Sequence, residues 1–181
     1  HMNYLAHLFL SKNTSDSMLG NLLGDFVKGS VEGRFPPEIV EGIMNHRRVD
    51  LITDSDVIVS SSRKLISEER CRFSGVIIDI LYDHFLYRNW SLFSGISVSE
   101  FIRMVYGNLS SHSFTIPHRA ELVITRLVRE DWLNAYGTID GIDNTFKRMS
   151  KRLKRENNLD SAAVELEAHY DTLNSHFLRF F

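Results

Sequence analysis

The chain has 181 residues, and 21 lysines and arginines against 23 aspartates and glutamates give it a formal net charge of −2. This length suits one domain with a real core, and 43% hydrophobic with 24% charged residues excludes a disordered, collagen-like or disulfide-stapled chain. The total hides an asymmetry: residues 147–155 (KRMSKRLKR) carry six basic residues, which leaves 15 basic against 23 acidic residues elsewhere.

Helices are predicted throughout, because apolar residues recur at intervals of three and four and only three prolines interrupt the chain. In chain order the predicted helices span residues 3–10, 15–28, 37–58, 61–67, 70–90, 98–110, 117–135, 138–154 and 160–180. Ser97 and Glu100 have capping-box spacing, and Pro37 and Pro117 suit a first helical turn. We therefore predict an all-α fold, a compact single-domain helical bundle over residues 1–181.

The sequence gives no sign of export or of a membrane. Cys71 is the single cysteine, so no intramolecular disulfide forms, and no stretch approaches the ~18 apolar residues of a spanning helix. The start of the chain lacks a basic region and a small-residue cleavage site, and His1 before Met2 is interpreted as a cloning remnant. These features predict a cytoplasmic protein that does not associate with a membrane.

Polar residues occupy helix stripes that should be apolar. In the helix at 70–90, Val76, Asp79, Asp83, Leu86 and Trp90 share one face. Three other segments have corresponding stripes. The helix at 37–58 carries His46 and Asp50, the helix at 15–28 carries Asp25, and the helix at 3–10 carries His7. His84 follows Asp83 directly and projects about 100° away from this face.

Several buried carboxylates together need compensation, and a divalent cation held between facing helices supplies it. Taken singly, each residue is explained as a helix cap, an Arg-paired acid or a hydrogen-bonded core histidine. Taken together, they predict a metal site with mixed imidazole and carboxylate ligands, which suits Mn²⁺, with Mg²⁺ or Fe²⁺ as alternatives. The candidate metal ligands are His7, Asp25, His46, Asp50, Asp79, Asp83 and His84. This pattern alone indicates a metal-dependent hydrolase.

Six segments in order resemble one family. They are MNYLAHLFLS, GNLLGDFVKG, FPPEIVEGI, HRRVDLITDSD, DILYDHFLYRNW and LEAHYDTLNSHFLRFF. Together they resemble the acyl carrier protein phosphodiesterase family, a divergent branch of the all-helical HD-type metal phosphohydrolases. The resemblance runs almost end to end and is strongest in residues 2–92.

The resemblance implies an activity and a partner. The expected reaction is Mn²⁺- or Mg²⁺-dependent hydrolysis of the phosphodiester that joins 4′-phosphopantetheine to a serine of holo-acyl carrier protein. Asp25, in GNLLGDF, carries over from the family most directly. The chain departs from the HD pattern, since it has Asp83-His84 where that pattern has His-Asp, so the order of ligands does not transfer.

Candidate catalytic residues follow from both arguments. We predict Asp25, His46, Asp83 and His84 as ligands or catalytic groups, with His7 beside them, while Asp50 and Asp79 orient histidines. Arg47 is predicted to contact the phosphate bidentately, and a surface or structural ion pair is an equal alternative. A histidine is the expected proton donor to the leaving serine, without a choice among them.

The basic block predicts a docking surface for an acidic protein. Acyl carrier proteins are strongly acidic, so a basic helix face would steer and orient them. The predicted docking residues are Lys147, Arg148, Lys151, Arg152, Lys154 and Arg155, with Arg119, Arg126 and Arg129 as an extension. A solvated helix face is the plain alternative. Nucleic acid is not expected, because the pI is about 6.5 and no recognition motif accompanies the block.

Two other functions fit the same sequence. One is an HD-type phosphohydrolase that acts on a nucleotide or a small phosphoester. The other is a non-catalytic helical module that binds an acidic partner through residues 147–155. The sequence does not predict an oligomeric state.

Overall fold

The computed structural model describes residues 3–153 and 157–181. Within these ranges, ten α-helices and three short 3₁₀ segments form, and no strand does. The α-helices are α1 (Tyr4–Phe9), α2 (Ser15–Leu23), α3 (Pro37–Ser55), α4 (Val57–Arg63), α5 (Ser74–Arg88), α6 (Val98–Ser110), α7 (His118–Arg129), α8 (Trp132–Ala135), α9 (Ile139–Ser150) and α10 (Ala163–Phe180). The all-α prediction is confirmed. No helix in the described ranges combines the length and apolar character needed to cross a membrane.

Local capping explains where the helices begin and where the predicted bounds were wrong. The Ser97–Glu100 capping box is present and starts α6, and Pro37 is the first residue of α3. The predicted helix 37–58 ends early because Asp56 accepts hydrogen bonds from the backbone N–H groups of Ile58 and Val59 and starts α4 there. Asp131, with φ 50°, separates α7 from α8 inside the predicted helix 117–135.

The fifth helix passes through the middle of the hydrophobic core. Every residue of α5 from Ile77 to Leu86 is buried, and the helix contacts α1, α4, α9 and α10. A helix that is buried on all sides carries apolar residues all round, which explains why the sequence of α5 is mostly apolar. The two carboxylates and the histidine of this run are therefore enclosed by protein.

Close packing of α2 on α3 positions the end of α2. A Cβ at Gly42 would lie 2.7 Å from the backbone oxygen of Ser17, so the two helix backbones approach as closely as glycine permits. A Cβ at Gly24 would overlap the ring of His46. Asp25, which follows Gly24 in the turn after α2, is consequently held beside His46.

Candidate active site

Three predicted residues form a buried cluster between α1 and α3. His7 comes from α1, while His46 and Asp50 lie one turn apart on α3. Asp50 Oδ1 is 3.2 Å from His7 Nε2, and Asp50 Oδ2 is 3.1 Å from His46 Nε2. The two imidazole rings are stacked, with centroids 3.8 Å apart. We call this group the His–His–Asp cluster.

Asp25 lies at the solvent edge of this cluster. Its Oδ1 is 3.5 Å from His46 Nε2, and its side chain is 47% exposed, whereas that of His46 is 4% exposed. The carboxylate therefore connects a buried group to the outside. Of the seven candidate ligands, the structure brings four into one neighbourhood: His7, Asp25, His46 and Asp50.

The charges of the cluster are set by burial and by its carboxylates. Burial disfavours a charged His46, but hydrogen bonds to Asp25 and Asp50 outweigh burial and raise the pKa of His46 to about 9. Burial alone would raise the pKa of Asp50, and its two histidine partners instead lower that pKa below its usual range. Burial lowers the pKa of His7, because the opposing Asp50 does not fully compensate. The cluster thus holds an ionised Asp50 between one charged and one neutral imidazole.

The cluster fits a divalent metal ion. One potential ligand atom from each of His7, His46 and Asp50 lies within 4.8 Å of the others. Nδ1 of His7 and Nδ1 of His46 are buried without a hydrogen-bond partner, while Nε2 of each ring faces Asp50, at 3.2 and 3.1 Å. Buried nitrogens without partners are costly, and a coordinated ion removes that cost. Two imidazoles and a carboxylate suit a divalent transition metal.

A cleft of about 430 Å³ lies next to the cluster. Asp25 contacts His46 of the cluster and also lines the cleft, so the cluster borders one wall of the cleft. The other walls come from the start of α1, the end of α3, α4, α5 and α9. The lining residues are Asn3, Tyr4, Asp25, Asp54, Arg63, Gly75, Val76, Asp79 and Met149.

Asp79 lines this cleft from α5. The residue is 8% exposed, and its Oδ1 is buried without a hydrogen-bond partner. Burial raises the pKa of Asp79 to about 8, so the carboxyl group keeps its proton at neutral pH. The structure does not place Asp79 among the atoms of the His–His–Asp cluster.

Asp83 has a structural role that the predicted ligand set did not include. Its Oδ2 accepts a hydrogen bond from the backbone N–H of Leu5 at 2.8 Å, and its Oδ1 accepts one from Ala6 at 2.9 Å. These donors belong to the first turn of α1, whose own N-cap residue Asn3 makes no side-chain cap. Burial raises the pKa of Asp83 to about 8, against the two N–H groups that lower it. Asp83 caps α1 from α5 and so positions His7.

His84 is also occupied by structural contacts. Its Nδ1 lies 2.7 Å from the backbone oxygen of Tyr136. Because a carbonyl oxygen only accepts, Nδ1 carries the ring hydrogen and donates the hydrogen bond. Its Nε2 then accepts a hydrogen bond from the Tyr170 hydroxyl at 3.1 Å. Burial lowers the pKa of His84, which keeps the ring neutral. Both ring nitrogens join α5 to other parts of the core, so the structure separates His84 from the cluster.

The sequence predicted a phosphate contact or an ion pair for Arg47, and its described contacts are with a backbone oxygen and a methionine sulfur. Its Nη2 donates to the backbone oxygen of Val27 at 2.9 Å, and Nη1 lies 3.9 Å from the Met44 sulfur. This side chain fastens the loop after α2 to α3, and it does not line the cleft. The arginine that does line the cleft is Arg63, which the sequence pattern did not single out because nothing in its spacing marks it.

Four basic residues of the block, Lys147, Arg148, Lys151 and Arg152, lie together at the end of α9 and directly after it. Arg148 and Arg152 lie over the buried Trp132 ring, at 4.3 and 5.1 Å from its centroid, and Lys147 pairs with Asp143 at 2.5 Å. These four residues and Arg126 line a depression together with Glu130 and Asn144. We call Arg126, Lys147, Arg148, Lys151 and Arg152 the basic face. Lys154 and Arg155 lie outside the described residues, as does His1.

The chain is similar to known proteins along almost its whole length. A family model described as acyl carrier protein phosphodiesterase matches residues 2–181. A relative of that name from Yersinia pestis is 37% identical over 99% of this chain and 94% of its own length. The corresponding proteins of Photorhabdus laumondii and Escherichia coli are 35% and 36% identical over 99% of this chain, and over 91% and 94% of their own lengths. No solved structure gives a significant match.

Proposed function

Because the chain belongs to the acyl carrier protein phosphodiesterase family, we propose that it hydrolyses the phosphodiester between 4′-phosphopantetheine and a serine of holo-acyl carrier protein. The family resemblance predicted from six sequence segments is confirmed. One observation supports the chemistry most strongly: a buried His–His–Asp cluster stands beside a cleft, with the exposed carboxylate of Asp25 between them. Phosphoryl transfer needs positioning and charge stabilisation, which this arrangement supplies.

The metal ion is part of the proposal. His7, His46 and Asp50 would hold it, and Asp25 is the nearest further carboxylate. The family resemblance implies Mn²⁺ or Mg²⁺, and Fe²⁺ is the alternative that two imidazoles and a carboxylate also suit. When bound, such an ion supplies positive charge for the phosphate and lowers the pKa of a water molecule.

Two carboxyl groups of the chain line the cleft and are placed for the proton transfers. Asp25 is exposed at the cleft, and its Oδ1 accepts the proton of the attacking water. Asp79 is protonated at neutral pH, and it donates that proton to the serine oxygen as the phosphorus–oxygen bond breaks. We propose Asp79 as this donor in place of His84, whose ring nitrogens are engaged with Tyr136 and Tyr170, while the sequence-based expectation of a histidine donor stays a prediction.

The substrate protein is proposed to dock on the basic face. Met149 of α9 lines the cleft, while its neighbour Arg148 lines the adjacent depression, so the two features share one helix. An acidic carrier protein held on this face can extend its phosphopantetheine arm into the cleft. The sequence-based predictions of a cytoplasmic location and of a single domain stay predictions beside this proposal.

Mass spectrometry tests the proposed function. Incubation of the protein with holo-acyl carrier protein and Mn²⁺ should give the apo protein, with the mass loss of phosphopantetheine. Asp25→Ala should abolish this turnover and keep a native melting temperature, because the side chain is half exposed. Asp171→Ala, at an exposed site on α10, is the matched control and should retain activity.

Three results would contradict the proposal. An active Asp25→Ala enzyme would remove Asp25 from the mechanism. Turnover of free nucleotides in place of holo-acyl carrier protein would assign the site to another phosphoester. Binding of the carrier protein without any hydrolysis would indicate that the protein is a non-catalytic binding module.

A further inference from the structure

Arg63 is the one cationic side chain among the described residues that line the cleft. Three aspartates line the same cleft: Asp25, Asp54 and Asp79. A phosphodiester that enters this acidic space needs fixed positive charge close to its non-bridging oxygens. Arg47, which the sequence suggested for this task, is engaged with the backbone of Val27 and lies outside the cleft.

The guanidinium of Arg63 has a donor without a partner. Its Nε is buried and makes no hydrogen bond, although the side chain as a whole is 26% exposed. A buried donor without an acceptor is destabilising, and an anionic oxygen satisfies it with a charge-assisted hydrogen bond. The pattern is that of a group arranged for a ligand.

Asp54 fixes the orientation of this guanidinium. Asp54 Oδ1 accepts a hydrogen bond from Arg63 Nη2 at 2.6 Å, which joins the end of α3 to the end of α4. The guanidinium is thereby fixed through Nη2, while its Nε makes no hydrogen bond. A planar guanidinium fixed on one side is well suited to a directional contact with phosphate.

The space next to Arg63 is kept clear by Gly75. A Cβ at that position would lie 4.0 Å from both Cζ and Nε of Arg63. Any larger side chain at the start of α5 would therefore occupy room beside the free donor. Gly75 and Arg63 line the same cleft.

We propose that Arg63 binds the phosphate of the phosphopantetheine linkage in this cleft, held in place by Asp54. This inference rests on the proposed function and names the group that recognises the substrate's phosphate. The phosphate lies against the guanidinium, with Asp25 and Asp79 on the neighbouring walls of the cleft. Arg63 is then a determinant of phosphate binding, and Asp54 is a positioning residue.

Calorimetric binding of 4′-phosphopantetheine and of pantetheine, which lacks the phosphate, tests the inference. With Mg²⁺ present, Arg63→Gln should weaken the binding of 4′-phosphopantetheine by about 10- to 100-fold, the usual effect of removing a hydrogen bond to a charged group. The affinity for pantetheine should stay unchanged. Arg63→Lys, which keeps the charge and loses the planar donor, should give an intermediate loss. Arg103→Gln, at an exposed site on α6, is the matched control and should bind both compounds as the unmodified protein does.

The outcomes separate this inference from the proposed function. Arg63→Gln that binds 4′-phosphopantetheine within twofold of the unmodified protein overturns the inference, even where that variant hydrolyses holo-acyl carrier protein. Equal weakening for pantetheine also overturns it, because the effect would then be structural. An unmodified protein that binds 4′-phosphopantetheine through Arg63 and never cleaves holo-acyl carrier protein supports the phosphate site and contradicts the proposed reaction. Where Arg63→Gln fails to fold, the same comparison of the two compounds with Arg63→Lys decides.

Discussion

Three buried aspartates illustrate how partners decide the role of one residue type. Asp50 faces two imidazoles, which lower its pKa, and Asp83 accepts two backbone N–H groups of α1. Asp79 has an oxygen without any hydrogen-bond partner, and burial raises its pKa to about 8. Asp50 is therefore suited to bind a cation, and Asp83 stabilises a helix. Asp79 stays protonated at neutral pH, where it lines the cleft.

Asp79→Asn should be more stable and less active than the unmodified protein. The folded-state pKa of about 8 lies above the ordinary value of 3.8, so the folded state holds a proton that the unfolded chain releases. The stability of the unmodified protein therefore falls as pH rises from about 4 through 8. Asparagine never ionises, so the melting temperature of the variant should exceed that of the unmodified protein by an amount that grows from about pH 4 to about pH 8 and then levels off.

Activity gives the second half of this prediction. Loss of the proton donor should lower kcat by about 100-fold, the usual range for a general acid. In the unmodified protein, kcat should decline as pH rises through about 8, because Asp79 then loses its proton. Melting curves and single-turnover assays over pH 5–9 measure both halves. Unchanged kcat in the variant would exclude Asp79 as the proton donor. A melting-temperature difference that does not vary with pH would show that burial does not raise the pKa of Asp79.

Metal affinity should rise with pH because of His46. Its pKa of about 9 means that a proton occupies the imidazole at neutral pH, and a coordinated ion must displace it. Release of one proton predicts an affinity for Mn²⁺ that increases about tenfold per pH unit between pH 7 and 9 and then levels off. Calorimetry at pH 7.5 in two buffers of different ionisation enthalpy should report release of about one proton per ion. A pH-independent affinity would show that Mn²⁺ binds without His46.

At the level of elements, the sequence predicted helices and inward carboxylates better than it predicted their partners. The stripe on residues 70–90 placed Asp79 and Asp83 inside the protein, and both are buried. Their roles depend on contacts that no local pattern contains, since the N–H that pairs with Asp83 Oδ2 belongs to Leu5, 78 positions away. The sequence did not predict Arg63 for the same reason. Its position in the cleft depends on how α4 and α5 pack together, which no local pattern contains.

Asp83→Ala should destabilise the protein through α1. The change leaves the N–H groups of Leu5 and Ala6 buried without acceptors, which should lower the free energy of unfolding by about 2–4 kcal/mol. Asp83→Asn keeps one acceptor oxygen and should cost about half as much. Chemical denaturation measures both variants. Asp83→Asn with native stability and no Mn²⁺ binding would contradict the cap and return Asp83 to the ligands.

On the scale of the whole molecule, the near-zero net charge is a balance between separate regions. The cleft is lined by three aspartates and one arginine, whereas the basic face at α9 gathers five cationic side chains around one depression. The sequence predicted this division from residues 147–155, and it predicted the family from six segments spread along the chain. It did not predict that Arg148 and Arg152 would stack on Trp132, which ties part of the basic block to the core.

Charge reversal on the basic face should weaken the docking of the carrier protein and leave the chemistry intact. Lys151 and Arg126 are the suitable pair because both are exposed, whereas Arg148 supports Trp132. Lys151→Glu with Arg126→Glu should raise KM for holo-acyl carrier protein by about tenfold at low salt and leave kcat nearly unchanged. KM of the unmodified protein should rise with ionic strength, and that of the double variant should respond less. Reversal of Arg103 and Arg179, exposed on α6 and α10, changes the net charge equally and should not alter KM. Equal effects of the two pairs would mean that only total charge matters, and no effect of either pair would place docking on another surface.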